Sequence, residues 1–412
     1  MIQFVYYILF IFTLIYGFYF LFTGFFAFKN KNKKIIKRHN PKNKFAILIA
    51  SRNEEDVIGE LVESLKEQDY PKDLYDIIVI PNNCTDKTEK VAKKAGATIM
   101  KCTVPVKSKG EVLRFAFEKL SKREDIDAYI VFDADNIVKK DFLRHMNNAL
   151  CDGYRVAQGF RDSKNASDNW LSGSYSIFYW VQNFFFNKAR MQMNGSSSIN
   201  GTGFMIKKDV IDEFGFNTVT LTEDIEFTAQ CAINNVKIVF VEDAITYDEQ
   251  PVNFNASWKQ RKRWSAGNLQ CLKVYNKKLL EAHIKNRNIA SLDMFFVFMA
   301  PVMQILSFGL TITLFLFNMF NVELYDMFSY MYASGIVFFL VLYLCNVLIN
   351  IYVATYNKKK CEDIMSGIIL FSLFILTWIP INIVCMVKKH TVWEPIKHSR
   401  KVKIDELVND NN

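Results

Sequence analysis

The chain has 412 residues, half of them hydrophobic, with 51 basic against 42 acidic side chains and a formal net charge of +9. That length accommodates one sizeable soluble domain together with several membrane segments. The basic excess crowds beside the apolar segments, as cytoplasmic membrane flanks do, which argues for a lipid bilayer as partner and against nucleic acid.

Residues 2–28 carry no charge and are rich in Phe, Tyr, Ile and Leu. At ~1.5 Å per residue such a helix spans a ~30 Å hydrocarbon core, so residues 1–28 are expected to be a transmembrane helix. A cleaved signal peptide is the alternative, but a basic start and a small-residue cleavage site are both missing. Lys29, Lys31, Lys33, Lys34, Lys37, Arg38, Lys42 and Lys44 follow with no acid among them, so 29–44 reads as a basic linker and the next domain as cytosolic. The eight cysteines include no CxxC pair and are expected to be reduced and mostly buried.

Phe45–Ser51 is a continuous apolar run, and 57–65 has helical apolar spacing. A second run at 75–80 is closed by Pro81-Asn82-Asn83, 85–95 is again helical, and a third run at 128–132 ends in Asp133-Ala134-Asp135. Strand, helix, strand, helix predicts a parallel sheet covered by helices over 45–250, with ligands bound where the strands end. Alternate residues of an extended turn face the same way, so Asp133 and Asp135 address one hard cation and the diphosphate it bridges; a solvated loop is the plain alternative. Thr222-Glu223-Asp224 follows a glycine-rich stretch, Asn200-Gly201-Thr202-Gly203. A carboxylate there suits a general base, and a helix N-cap at Thr222 is the competing and compatible reading.

Gln260-Arg261-Lys262-Arg263-Trp264 lies in 251–291, expected to form interfacial amphipathic helices. On a helix Gln260, Arg263 and Trp264 share a face. A guanidinium there clamps phosphate and an indole stacks on a pyranose, whereas a basic helix resting on lipid headgroups is the alternative. Three further apolar stretches, near 292–317, 333–355 and 364–387, predict membrane helices over 292–387. Four full crossings would put the tail, 388–412, outside, yet Lys388, Lys389, Lys397, Arg400, Lys401 and Lys403 mark it as cytosolic. The segment 364–387 is therefore expected to be interfacial or re-entrant, broken at Pro380, which has no N–H to donate.

Ile49-Ala50-Ser51-Arg52-Asn53-Glu54, Asn83-Cys84-Thr85-Asp86, Asp133-Ala134-Asp135, Thr222-Glu223-Asp224 and Gln260-Arg261-Lys262-Arg263-Trp264 resemble, in order and spacing, the motifs of the membrane-integrated family 2 glycosyltransferases. These include the cellulose, chitin, poly-N-acetylglucosamine and hyaluronan synthases. The resemblance implies an α/β GT-A (Rossmann-like) cytosolic catalytic domain between an N-terminal transmembrane helix and a C-terminal helical membrane bundle. It implies that Glu54 and Asp86, with Ser51 and Arg52 beside them, hold the ribose and uracil of a UDP-sugar donor, and that Lys109 meets the diphosphate. Asp133 and Asp135 look like the nucleotide and Mg2+ or Mn2+ carboxylates, and Asp224 like the base, flanked by Glu223 and Thr222. Gln260, Arg263 and Trp264 look like the cradle for the diphosphate and acceptor end. Asn200-Gly201-Thr202 stands where cellulose synthases carry Cys-Gly-Ser, with Asn200 replacing the Cys. Trp393, Lys397, His398 and Arg400 are similar in place to a gating loop over the nucleotide.

The implied function is an inverting, metal-dependent, processive hexosyltransferase of the plasma membrane. It would polymerise UDP-glucose, or UDP-N-acetylglucosamine, onto a growing β-glycan and export it, with any accessory export or regulatory subunit a separate partner. A non-processive transferase acting on a lipid acceptor, and a non-catalytic membrane transporter or scaffold, are the alternatives.

Overall fold

The structure, a computed structural model, describes residues 2–29, 36–319, 335–388, 400–402 and 404–409. The leading apolar run is a helix, α1 (Ile2–Phe25). The first apolar run of the soluble part is a strand, β1 (Phe45–Ser51), buried along almost its whole length. Phe45, Ile47 and Ile49 pack on one face with α2 (Ile58–Lys66), while Ala46 and Leu48 join the core on the other. A strand covered on both faces reads as an unbroken apolar run because neither side meets water. The order continues through β2 (Tyr75–Pro81), α3 (Thr88–Ala95), β3 (Thr98–Ile99), α4 (Lys109–Leu120), β4 (Ala128–Asp133), β5 (Ile137–Val138), α5 (Phe142–Cys151), β6 (Val156–Ser163) and α6 (Trp170–Val181). It then runs through α7 (Ala189–Gln192), β7 (Phe204–Lys207), α8 (Lys208–Phe214), α9 (Glu223–Ile233), β8 (Ile238–Asp248) and α10 (Phe254–Asn286).

The sheet order is β3-β2-β1-β4-β7-β6-β8-β5. β1, β2 and β4 are parallel as expected and the short β3 adds a further parallel strand at the edge, but β7 runs antiparallel between β4 and β6, so the sheet is mixed rather than wholly parallel. Short apolar stretches such as 204–207 carry no direction in their composition, which is why the reversal was not legible. Gly159 marks a register shift between β6 and β8. A Cβ there would stand 2.6 Å from the Ala244 carbonyl oxygen, so only glycine fits.

Among the described residues three helical segments are long and apolar enough to cross a membrane: Phe4–Phe28, Ile289–Thr313 and Cys361–Val387. The second belongs to α11 (Ile289–Met319), followed by α12 (Gly335–Tyr356), α13 (Met365–Leu376), α14 (Trp378–Val387) and α15 (Ile404–Asn409). α1 is tied to α11 by Tyr19, whose hydroxyl donates to Asp293 Oδ1 at 2.6 Å, and Asp293 in turn pairs with Arg190 at 2.9 Å. The apolar stretch 364–387 breaks at Thr377, between α13 and α14. Pro380 explains the position: its ring crowds the carbonyl four residues back, at Leu376, and it donates no hydrogen bond. Arg261, fully buried, fills the gap, donating to the Phe374 carbonyl at 3.1 Å and to Thr377 Oγ1 at 2.6 Å. α13 crosses α6 at glycine on glycine, where a Cβ on Gly367 would lie 2.8 Å from Gly173 backbone.

Both flanks of 365–387 touch the α/β domain. Before it, Lys359 pairs with Asp162 at 2.9 Å and Tyr356 donates to Glu242 at 2.7 Å. After it, the Arg400 N–H donates to Glu249 at 2.9 Å, its guanidinium pairs with Asp168, and Ile404 and Leu407 pack on Ile137 and Tyr247. All eight cysteines are unpaired; Cys231 and Cys271 are buried, but Cys345 is exposed and the others half-buried, so the thiols are less buried than expected.

Candidate active site

The carboxyl ends of β1 and β4 open into a cavity of about 430 Å³ that reaches across α6 and α10 to α11, α13 and α14. Ser51, Arg52 and Glu54 line it after β1, and Asp133 and Asp135 after β4. The turn at Asp133 is built by neighbours: its N–H donates to Asn136 Oδ1 at 3.1 Å and Thr202 Oγ1 at 3.0 Å. Thr202 is wholly buried behind that turn and does not line the cavity, so it positions Asp133 rather than meeting a ligand.

Lys109 begins α4, whose N-cap Ser108 accepts from the Glu111 N–H. Its ammonium lies 2.5 Å from Asp133 Oδ1, 2.7 Å from the Gly201 carbonyl oxygen and 3.7 Å from Glu223 Oε1. Burial works to lower its pKa, but Asp133 and Glu223 outweigh it and hold the charge. Glu223 and Asp224 open α9, where the positive end of the helix faces the cavity. Burial pushes Glu223 up to about 7 against the pull of Lys109, and pushes Asp224 up against the Ile225 N–H, Lys109, Arg161 and Arg263. Thr222 stands at the N-cap position, yet its side chain makes no capping bond. Instead it abuts Gly267, where a Cβ would collide with the Thr222 side chain, so α10 lies directly on this turn. Glu226, also buried, takes the Val219 and Thr220 N–H groups and the Tyr275 hydroxyl, locking the loop, α9 and α10 together.

Gly201 has φ +83°, and a Cβ there would lie 3.4 Å from Asp224 Oδ2, 3.6 Å from Arg161 Nη1 and 4.0 Å from Asp133 Oδ2. The side chains of Asp133 and Asp224, far apart in sequence, thus converge on one point. Asn200 lines the same wall, its Oδ1 accepting from Gln182 Nε2 at 3.1 Å. Arg161 joins them from β6, bonding Asp248 Oδ2 through Nε at 2.8 Å and the Asn200 carbonyl oxygen through Nη1 at 2.8 Å, with Tyr179 beneath it at 4.1 Å. Arg161 and Asp248 were not anticipated. They stand on separate strands, and a strand-end arginine or aspartate carries no spacing that marks it.

Gln260, Arg263 and Trp264 line the cavity from α10, while Arg261 points away into the α13–α14 break. Trp264 stacks on Trp378 at 6.1 Å and 24°. Asp86 is placed elsewhere: its carboxylate accepts from the Thr88 N–H at 3.0 Å, the Thr88 hydroxyl at 2.5 Å and the Glu55 N–H at 3.1 Å, and it does not line the cavity. Arg400 bonds Glu249 and Asp168 at the cavity's edge, whereas Trp393, Lys397 and His398 lie outside the described residues.

Among the described residues no group of three or more His, Cys, Asp or Glu side chains forms a metal cage. Asp133 and Asp135 nevertheless suit a hard divalent cation of the Mg2+ or Mn2+ kind, which is commonly held by one or two carboxylates and completed by water and substrate phosphate. Asp135 is buried at the cavity wall, its Oδ2 accepting from the Glu249 N–H at 3.3 Å.

The family described as "Glycosyltransferase like family 2" matches residues 41–267, more than half of the chain. The probable glycosyltransferase YdaM of Bacillus subtilis (strain 168) is 27% identical over 325 residues, covering 74% of each chain. The beta-monoglucosyldiacylglycerol synthase of Synechocystis sp. is 25% identical over 235 residues, covering 56% of this chain and 49% of its own, so the chain spans about half the length of that relative. The solved mannosyltransferase PcManGT from Pyrobaculum calidifontis, in complex with GDP-Man and Mn2+, matches with a TM-score of 0.61 at 13% identity, covering 94% of this chain and 99% of that one. That likeness bears on the fold, a GT-A-like α/β domain with flanking apolar helices. The chain belongs to glycosyltransferase family 2 and is a hexosyltransferase.

Proposed function

We propose that the protein transfers a hexosyl unit from a UDP-sugar to a hydroxyl group of a membrane lipid at the cytosolic face of the membrane. The observation that carries this reading is one continuous cavity, from Asp133 and Asp224 to Pro301, Trp378 and Asn382 on the apolar helices. A lipid reaches such a cavity with its headgroup while its chains stay in hydrocarbon. The relatives named beta-monoglucosyldiacylglycerol synthase support a lipid acceptor. The cavity-lining face of Gln260, Arg263 and Trp264 supports a second reading, a processive β-glycan synthase that exports its polymer.

The proposed topology has three crossings: α1, α11 and α12. The segment 365–387 enters and leaves on the cytosolic side, because contacts before and after it reach the same α/β domain. An odd number of crossings puts both that domain and the basic tail in the cytosol, as the lysine flanks require.

In this mechanism Ser51, Arg52 and Glu54 receive the nucleoside, and Lys109 and Arg263 the diphosphate. Asp135, with Asp133, would hold the divalent cation, which when bound supplies positive charge beside the departing diphosphate. Asp224 orients the acceptor hydroxyl and accepts its proton as the oxygen attacks the anomeric carbon from the face opposite the diphosphate. The bond from that carbon to the diphosphate oxygen breaks, its electron pair leaves with UDP, and an α-linked donor gives a β-linked product.

The test is purified protein in lipid nanodiscs with radiolabelled UDP-glucose or UDP-N-acetylglucosamine and Mg2+ or Mn2+. Label in the organic extract is the expected result; label in insoluble polymer favours the synthase reading, and no transfer sinks both. Asp135→Ala is expected to weaken Mn2+-dependent UDP binding about ten-fold by calorimetry, the loss of one charge contact on the bound cation. Gly201→Ala forces a side chain into the left-handed region and between Asp224 and Asp133, and is expected to slow UDP release about ten-fold.

A further inference from the structure

We infer that the membrane-facing end of the cavity is a headgroup subsite for an uncharged, hydroxyl-rich acceptor, a sugar or glycerol moiety, and that it rejects phosphate-headed lipids. This deepens the lipid-acceptor reading and rests on it. The first observation is how charge divides along the cavity. Apart from Arg263, every ionisable residue lining it comes from the α/β domain. The lining contributed by α11, α13 and α14 contains no ionisable side chain.

The second observation is a set of buried polar atoms without partners. Gln260, Asn268, Trp378 and Asn382 all line the cavity, and in each one polar atom, Gln260 Oε1, Asn268 Oδ1, Trp378 Nε1 and Asn382 Oδ1, is buried and makes no hydrogen bond. Leaving such groups unpaired costs free energy that a ligand supplying the missing partners recovers. Three acceptors and one donor suit vicinal hydroxyls, each of which both donates and accepts. An ionised phosphate, which only accepts, would set its oxygens against three acceptor oxygens with a single N–H in return. Turning an amide over exchanges acceptor for donor but adds no positive charge.

The third observation is how these atoms are held. Asn382 is fixed by donating from Nδ2 to Gln304 Oε1 at 2.6 Å, across α14 and α11. Trp378 is stacked between Phe178 at 6.1 Å and Trp264 at 6.1 Å, which fixes the direction of its N–H. Aromatic walls with polar tips are what a pyranose needs, since its C–H faces are apolar and its rim is hydroxylated.

The test uses the full chain in nanodiscs with the radiolabelled donor and two soluble acceptors of equal tail, octyl β-glucoside and octyl phosphate. Octyl β-glucoside is expected to be glycosylated and octyl phosphate not. Trp378→Phe and Asn382→Leu are each expected to raise the KM for octyl β-glucoside about ten-fold, one hydrogen bond's worth, while the Kd for UDP stays unchanged. Trp378→Phe keeps an aromatic ring in the stack, so the test survives if Asn382→Leu does not fold. Preferred use of octyl phosphate, or an acceptor KM that neither variant moves, overturns the subsite even where lipid is labelled. If the wild type labels polymer and no lipid, yet still uses octyl β-glucoside with a variant-sensitive KM, the lipid reading falls and the subsite stands.

Discussion

Replacing Asp224 by Asn is expected to lower the rate of sugar transfer about 10³-fold while leaving UDP-sugar affinity unchanged, the scale on which a positioned general base acts. The amide keeps the size of the carboxylate and cannot take the proton of the acceptor hydroxyl. Asp224 opens α9 beside Glu223, facing Lys109, Arg161 and Arg263, and burial raises both carboxyl groups, Glu223 to about 7. The two carboxyls face each other's charge, so protonation of either as pH falls affects the other. The sign follows: a raised carboxyl pKa means protonation as pH falls, and a protonated carboxyl is no base. Turnover should therefore fall with decreasing pH in the wild type, beginning above the usual carboxylate range. In Asp224→Asn the small remaining rate should lose that limb. Collapse of UDP-sugar affinity in Asp224→Asn, measured by calorimetry, would make the residue a binding group and remove it from proton transfer.

The parts of this site legible in sequence were those that local chain geometry places. Asp133 and Asp135 follow an apolar strand, so the end of β4 was expected to carry them into the crevice. Gln260, Arg263 and Trp264 share a face by helical spacing, and the same arithmetic turns Arg261 to the other side, where it meets the break between α13 and α14. Pro380 announced that break, though the interruption falls three residues earlier, where its ring acts on the preceding turn. Asp86 misled because an acid in an Asn-Cys-Thr-Asp turn is read equally well as a ligand group or as a local acceptor. Here the Thr88 hydroxyl and N–H and the Glu55 N–H use it. What sequence could not supply was pairing across strands and between domain and bundle. Arg161 meets Asp248 only once β6 and β8 lie side by side, and Asn382 meets Gln304 only once α14 packs on α11.

Removing the carboxylate of Asp248 should destabilise the protein by about 3–5 kcal/mol, because it strands a buried cation. The Arg161 and Asp248 side chains are 11% and 3% exposed, so water offers little replacement. Burial alone would lower the pKa of Arg161, yet Asp248 outweighs it and the guanidinium stays charged. Asp248 is satisfied on its other oxygen by Gln250 Nε2 at 2.8 Å, so the pair is closed on the acid's side and depends on it. In Asp248→Ala the guanidinium keeps the Asn200 carbonyl oxygen and the Tyr179 ring, with Asp224 and Asp133 grouped beside it around Gly201. It should therefore turn toward them and favour their charged forms, moving the acidic limb of turnover to lower pH even as the base is drawn away from the acceptor. Chemical denaturation of the detergent-solubilised protein reads the first effect and the pH–rate profile the second. The double variant Arg161→Met/Asp248→Leu should recover much of the stability, since neither charge is then buried alone, while transfer stays impaired. A loss under about 1 kcal/mol in Asp248→Ala, with an unmoved pH profile, would mean the pair neither anchors β6 to β8 nor tunes the base, since an exposed ion pair is worth no more than that.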